Sequence, residues 1–521
     1  MAASWLKNAV FYEIYPQSFY DANGDGIGDF AGISEKLPYV RSLGCNAIWL
    51  NPCFDSPFRD AGYDVRNYKL AAPRYGTNEE LKALFDKAHS LGIRVLLDLV
   101  PGHTSEEHPW FVSSGSEEPT EYDDRYIWTN HAFARGDGMP FIGGDQPRWG
   151  TYIINFFKCQ PALNYGYYNI HEPWQQSIDA PGPLATREAM KDVMRFWLRL
   201  GCDGFRVDMA DSLVKNDPGD RPGTCAVWRD LLGTMHAEFP EAAFVSEWNN
   251  PELALNCGFD MDFYLNWGGN GYAVMMRNYD EPAFGQTPQR NESYFSKDAH
   301  TSAVAMLKDY LPKYTRTKDA GLWCWISGNH DTTRLAPLLD ERERRLAFAF
   351  LFTMPGAPFL YYGDEIGMSY LPRRTKEGGY QRTGSRTPMQ WTNGRNLGFS
   401  EAEGEKLYLP VDSAPDAPNV AEQEADPDSF LNFTRSLIAL RGAWEELGNY
   451  APFAVYRAEE GSRLFAYKRG SLLVAMNPSG ESLSLPLDGA YSPLFTIGDT
   501  SLAGKSLILG AQSFALLRPE A

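Results

Sequence analysis

The sequence predicts an α/β protein: a (β/α)8 TIM barrel with a small inserted domain after strand three and a C-terminal antiparallel β-sandwich domain. Three observations lead there. Short apolar runs alternate with helix-patterned stretches along most of the chain, the signature of βα units around a parallel sheet. Several of those runs end on a charged or imidazole side chain, as barrel strands do where they enter an active-site mouth. From about residue 446 the pattern changes to short alternating runs separated by turn residues, as in an antiparallel β domain.

A chain of 521 residues exceeds one ordinary core, so several domains are expected. The boundaries read as 1–103 for the first part of the barrel, 104–167 for the insertion, 168–445 for the rest of the barrel and 446–521 for the β domain. A formal charge of −19 argues against nucleic acid or an anionic membrane as partner, because phosphates would be repelled. The abundant Tyr, Phe and Trp suit a sugar-binding cleft, although most such rings serve the core. Seven cysteines without regular spacing, Cys225 and Cys257 among them, read as reduced, buried small hydrophobes. The N-terminus shows no signal-peptide pattern and no apolar run is long enough to span a bilayer, so a cytoplasmic protein is expected.

The first strand is Val10–Tyr15, and it leads into Asp21-Ala-Asn23-Gly-Asp25-Gly-Ile27-Gly-Asp29. Oxygen side chains at alternate positions, with glycines for tight curvature, can wrap a hard cation such as Ca²⁺, with Mg²⁺ as the alternative. The competing reading is a loop closed by its own Asx turns. A helix over Ile33–Leu43 and a strand over Ala47–Asn51 follow, then a loop with Gly62-Tyr63-Asp64. Asn78 is expected to cap a helix through Leu91. The apolar strand Arg94–Leu99 runs on to His103. Residues 104–167 break the rhythm, as an inserted functional unit would. It resumes with a helix over Thr186–Leu200 and strands at Gly204–Asp208, Ala243–Glu247, Phe259–Tyr264, Leu322–Ser327 and Phe359–Tyr362. A polar loop over about 363–426 precedes a helix over Ser429–Arg441.

The strand ends bring six polar groups to one expected mouth: His103, Arg206, Asp208, Glu247, His330 and Asp331. Paired carboxylates are the equipment of glycoside hydrolysis, one ionised as nucleophile and one protonated as acid. Asp208 is two residues from Arg206, whose charge should hold it ionised, so it is the expected nucleophile. Glu247 has no cation nearby in sequence; burial should raise its pKa and make it the acid, then the base. Asp331 is a third acid, suited to sugar hydroxyls and a positively charged transition state. His103 and His330 can donate to the same sugar, the bland alternative for each being a core histidine. No organic cofactor is called for.

Four motifs then carry a resemblance: Asp98-Leu-Val-Pro-Gly-His103, Gly204-Phe-Arg-Val-Asp208, Glu247 with its strand, and Asn329-His330-Asp331. In this order they resemble the α-amylase superfamily, glycoside hydrolase family 13, over essentially the whole chain. The resemblance implies a retaining mechanism on α-linked glucosides, with Asp208 as nucleophile, Glu247 as acid/base and Asp331 as transition-state stabiliser. His103, Arg206 and His330 match residues at the −1 sugar, and Tyr63 the ring that stacks on it. Arg386-Thr-Pro-Met-Gln-Trp391 and the Asp21–Asp29 loop are similar to the oligo-1,6-glucosidase, α-glucosidase and trehalose synthase branch. That likeness implies a calcium site from Asp21, Asn23, Asp25, the Ile27 carbonyl and Asp29, and a clamp of Asp64 with Arg386 on the terminal glucose. Gly102 stands where the family usually has a calcium-ligating asparagine, so an amylase-type site is not expected. Gln160-Pro-Ala-Leu-Asn164 lacks the usual aspartate, and Met209 follows the nucleophile where relatives tend to carry Ala or Val, leaving linkage open. The expected function is exo-acting removal of glucose from short oligosaccharides or disaccharides. The alternatives are an intramolecular glucosyl transferase, such as a trehalose synthase or sucrose isomerase, and a non-catalytic binding or transporter subunit.

Overall fold

A computed structural model describes residues 3–267, 269–278, 292–372 and 381–520. Part of the expected polar loop, 373–380, lies outside the described residues. Eight strands close into a parallel barrel: β1 (Phe11–Ile14), β2 (Ala47–Leu50), β3 (Arg94–Leu99), β4 (Gly204–Val207), β5 (Ala243–Ser246), β6 (Met261–Tyr264), β7 (Leu322–Ile326) and β8 (Ala357–Tyr361). Nearly every residue of these strands is buried, which is why they read as apolar runs rather than alternating ones. Gly204 opens β4 at φ +143°, and a Cβ there would stand 1.8 Å from the Ala243 carbonyl oxygen. Only glycine lets β4 lie this close to β5.

Helices alternate with the strands: α1 (Phe30–Leu43), α2 (Asn78–Ser90), α3 (Pro181–Leu200), α4 (Pro222–Glu238), α5 (Ala303–Thr317), α6 (Glu341–Thr353) and α7 (Phe430–Ala443). Several expected boundaries shift by a few residues, among them α1, which starts at Phe30 rather than Ile33, and two have a clear local cause. The cap of α2 is Thr77, in a capping box with Glu80; the Asn78 side chain instead holds Lys69 and Ala71 of the short strand 67–71. Helix α3 starts at Pro181, five residues before Thr186, because Pro fits the first helical turn. The reduced reading of two cysteines is also corrected: Cys225 on α4 and Cys257, just after the helix 251–256, form a disulfide with Cα atoms 4.7 Å apart. Packing, not sequence spacing, brings them together. Cys45, Cys53, Cys159, Cys202 and Cys324 are free and buried.

Between β3 and β4 the chain forms a small hairpin, 141–143 with 151–153, and an aromatic cluster of its own. The C-terminal region holds strands β9 (Phe453–Ala458) to β16 (Ser513–Pro519). Five build one antiparallel sheet and the strands 483–486, 500–503 and 506–509 a second, with Leu473, Leu485, Leu507 and Leu517 in the core they share. Among the described residues no helix is long and apolar enough to cross a membrane.

Candidate active site

The site is built on one guanidinium. Arg206 on β4 is 1% exposed. Its Nη1 lies 2.9 Å from Asp98 Oδ1 and 3.0 Å from Asp208 Oδ1, and its Nη2 2.7 Å from Glu247 Oε2. The parallel register explains the gathering: Asp98 on β3 is the direct partner of Arg206, and Glu247 follows the β5 residue paired with Val207. Glu247 Oε2 also accepts the Met209 N–H at 3.1 Å. Met209 itself sits at φ +41°, a left-handed turn directly after the nucleophile position.

Two electrostatic expectations change. Glu247 does have a cation, Arg206, reached across the sheet rather than along the chain. Asp208 is not held low by Arg206. Burial pushes its carboxyl well above the usual range, Arg206 opposes this, and the nearby charges of Glu247 and Asp98 add to the rise. Burial likewise raises Asp98 to about 6 against the pull of Arg206. One cation among three carboxylates thus leaves both Asp208 and Asp98 raised.

The opposite wall inverts that balance. Asp331 Oδ1 lies 2.8 Å from Arg382 Nη1 and 2.8 Å from Arg386 Nη2. Burial would raise its carboxyl, but Arg382, with His330 and Arg386, holds it well below the usual range. Its side chain is 30% exposed, the open part facing the pocket.

The pocket between these walls has a volume of about 150 Å³. That is small beside the roughly 300–1,000 Å³ of drug-sized sites, and suits one sugar unit. Asp208, Glu247 and Asp331 line it with Tyr63 and His103; Phe156, Phe157 and Met209 supply apolar surface; Asp60 and Arg382 close one side. Arg382 Nη2 donates to Asp60 Oδ1 at 3.0 Å.

The ion pair that lines the pocket is Asp60 with Arg382; Asp64 and Arg386 lie behind that lining. Asp64 is fully buried and accepts from Ser56 Oγ and from the backbone N–H groups of Arg59 and Asp60, shaping the turn that presents Asp60. Arg386, 1% exposed, braces Asp331 from behind and donates its Nε–H to the His330 carbonyl at 2.9 Å. His330 is fully buried behind Tyr63, whose hydroxyl is 2.7 Å from its Nε2. His103 lines the pocket, yet its Nε2 faces the Tyr63 carbonyl at 3.0 Å and its Nδ1 the Asn155 amide at 3.2 Å. Burial lowers its pKa to about 4, so it is neutral, with Nε2–H committed to the backbone. Asn155 Oδ1 accepts from Lys215 Nζ at 3.2 Å, and a Cβ on Gly102 would lie 2.8 Å from Asn155 Nδ2. A side chain at 102 would thus have to displace the Asn155 amide.

In the Asp21–Asp29 loop, Asp21 accepts from the Gly24 and Gly26 N–H groups, Asn23 from Asp25, and Asp25 from Ile27. Asp29 accepts from Ala22, Asn23 and Gly32, and so caps α1. These are the Asx turns of the competing reading. Asp21 and Asp29 are nonetheless both 4% exposed, and among the described residues neither pairs with Lys or Arg. Burial, with Asp21's charge adding, raises the Asp29 carboxyl. Among the described residues no three His, Cys, Asp or Glu side chains converge as a metal cluster, so a cation here would depend on Asn23 and the Ile27 carbonyl as well as the acids.

The alpha-amylase catalytic domain family matches residues 13–449. The trehalose synthase/amylase TreS of Mycobacterium tuberculosis is 35% identical over 491 residues, covering 86% of this chain and 78% of that protein. An oligo-1,6-glucosidase of Heyndrickxia coagulans is 31% identical, covering 92% of this chain and 93% of that one. Among solved structures, a trehalulose synthase MutB variant in complex with Tris superposes with a TM-score of 0.81 at 25% identity, over 99% of this chain and 100% of that one.

Proposed function

Because the chain belongs to the alpha-amylase family, glycoside hydrolase family 13, we propose that it is a retaining, exo-acting enzyme of α-linked glucose disaccharides and short oligosaccharides. The observation that carries this is the pairing of Asp208 and Glu247 on the two ends of one guanidinium, facing Asp331 across a pocket closed by Asp60 and Arg382. Carboxyl groups gathered this closely fit direct attack, which needs a separation of about 5–5.5 Å. With Asp208 as the carboxylate, the form that Arg206 favours against burial, Asp208 attacks C1 while Glu247 gives its proton to the glycosidic oxygen and the C1–O bond breaks. An acceptor hydroxyl then attacks C1, Glu247 takes its proton, and Asp208 leaves. Asp331, ionised by two guanidinia, stabilises the positive charge that develops on the sugar.

The acceptor decides the product. Water gives an α-glucosidase; the departing sugar, held in place and re-attached through another hydroxyl, gives an isomerase. The second reading draws on the 35% identity to trehalose synthases. Retention of the three acids speaks against a binding-only role. Incubation with maltose, isomaltose, sucrose and trehalose tests the proposal. Glucose as main product supports hydrolysis, a rearranged disaccharide supports intramolecular transfer, and no consumption of any of them rejects both.

We also propose Ca²⁺ at the Asp21–Asp29 loop, where it would offset two buried carboxylates and pin the start of α1. It would take no part in the chemistry. A melting temperature that rises with Ca²⁺ over EDTA, and more than with Mg²⁺, supports it; equal melting and no heat of Ca²⁺ binding would reject it.

A further inference from the structure

Glu13 on β1 is a carboxyl group that the mechanism does not use. It is 1% exposed, in a barrel interior otherwise filled mainly by apolar and aromatic side chains. Its Oε1 lies 2.9 Å from His330 Nδ1, 3.3 Å from the His330 backbone N and 3.2 Å from Asn51 Nδ2. Its Oε2 has no partner. On the far side of the ring, His330 Nε2 meets the Tyr63 hydroxyl at 2.7 Å, and that hydroxyl is 3.1 Å from Asp98 Oδ2. Carboxyl, imidazole and pocket-lining hydroxyl thus form one line from β1 to the sugar site.

We propose that Glu13 is a positioning residue that makes His330 a permanent Nε2–H donor toward the pocket, by keeping one proton within the Glu13–His330 bond. The idea deepens the reading of this pocket as an α-glucoside site and rests on it for its functional meaning. With the proton on Glu13, Oε1–H donates to Nδ1 and the neutral ring carries its own hydrogen on Nε2. With the proton on the ring, both nitrogens are protonated and Nδ1–H donates back to the carboxylate. The proton crosses one 2.9 Å contact, and Nε2 bears hydrogen on either side of the move.

Three observations favour this state over a bare Nε2. First, the Tyr63 hydroxyl has one hydrogen, and Asp98 Oδ2 is there to accept it; Nε2–H and Arg206 Nη1, at 3.3 Å, then donate to the Tyr63 oxygen. Each contact from Glu13 Oε1 to Asp98 Oδ2 then pairs one donor with one acceptor. Second, a bare Nε2 would leave Glu13 either anionic with no donor to Oε2 or protonated at Oε2 with no acceptor among the described residues, each costly for a buried group. Third, burial pushes the Glu13 carboxyl well up, with Asn51 and Arg206 opposing, so the pair retains its proton. Asn51 Nδ2, also 3.0 Å from Nδ1, braces the pair from the β2 side.

The test needs no substrate. In the ¹⁵N spectrum of the imidazoles, with the His330 signals assigned by their loss in His330→Gln, Nε2 is expected as a protonated nitrogen. A bare Nε2 in the unaltered chain overturns the proposal, and this measurement stands even if no variant folds or no sugar is turned over. In Glu13→Met combined with Asn51→Leu, which removes both donors that can reach Nδ1, the Nε2 proton should be lost and kcat should fall about tenfold or more, with KM within about threefold. Glu13→Gln in the Asn51→Leu background should restore most of it, because an amide N–H can donate to Nδ1. Retention of the Nε2 proton in Glu13→Met with Asn51→Leu, or Glu13→Gln as impaired as Glu13→Met in that background, would overturn it.

Discussion

The two walls of the pocket solve opposite problems with the same residue types. On the β3–β5 side, one guanidinium serves Asp98, Asp208 and Glu247. On the other, Arg382 and Arg386 both serve Asp331. The first wall is short of positive charge, so burial raises Asp208 and Asp98; the second has charge to spare and keeps its acid ionised. The ratio of cations to acids sets the charge that each wall presents.

The contrast can be broken at its centre. Asp208→Asn should lower turnover of any accepted disaccharide by about 10⁴-fold or more while leaving the melting temperature nearly unchanged. Unchanged turnover would remove the first wall from the chemistry. A smaller effect is expected opposite: Arg382→Ala should raise KM by about ten- to a hundredfold through loss of the Asp60 closure, with a lesser fall in kcat. It also strips Asp331 of one cation, so the Asp331 carboxyl should titrate higher when followed by its carbon NMR signal. A titration that stays in place would show that Arg382 does not set the charge of Asp331.

The smallest effect is on stability, and the walls differ in sign. Asp331 titrates lower in the folded chain than the roughly 3.9 of an unfolded aspartate, so its contribution is present above that pH and lost as pH falls further. Asp98 titrates higher, at about 6, so its contribution is present below the unfolded value and is lost as pH rises toward 6. Melting curves from acid to neutral pH should show both. Arg382→Ala should flatten the acid side alone; if it flattens neither, the two-cation account of Asp331 fails.

The parts of this site legible in sequence are those written locally. Asp208 stands two residues from Arg206, and Asp331 next to His330, at the ends of apolar runs. The barrel was legible for the same reason, since buried parallel strands are continuous apolar stretches. Contacts made across strands left no trace in the chain. Arg206 reaches Glu247 from the neighbouring strand, and Cys225 meets Cys257 through helix packing. The charged pair lining the pocket stands four residues before the expected one at both ends, Asp60 before Asp64 and Arg382 before Arg386. In each case both residues are polar and belong to one irregular loop, and only packing shows which one lines the pocket. The sole available hint was that each pair contains two like-charged candidates.

The contact between Gly102 and Asn155 has a consequence for how this chain can drift. Placing asparagine at 102 drives its first side-chain carbon into the amide that steadies His103, while removing Asn155 first leaves Lys215 without that partner. A side chain at 102 therefore acts on His103 through Asn155: the amide must swing aside, and with it the partner of His103 Nδ1.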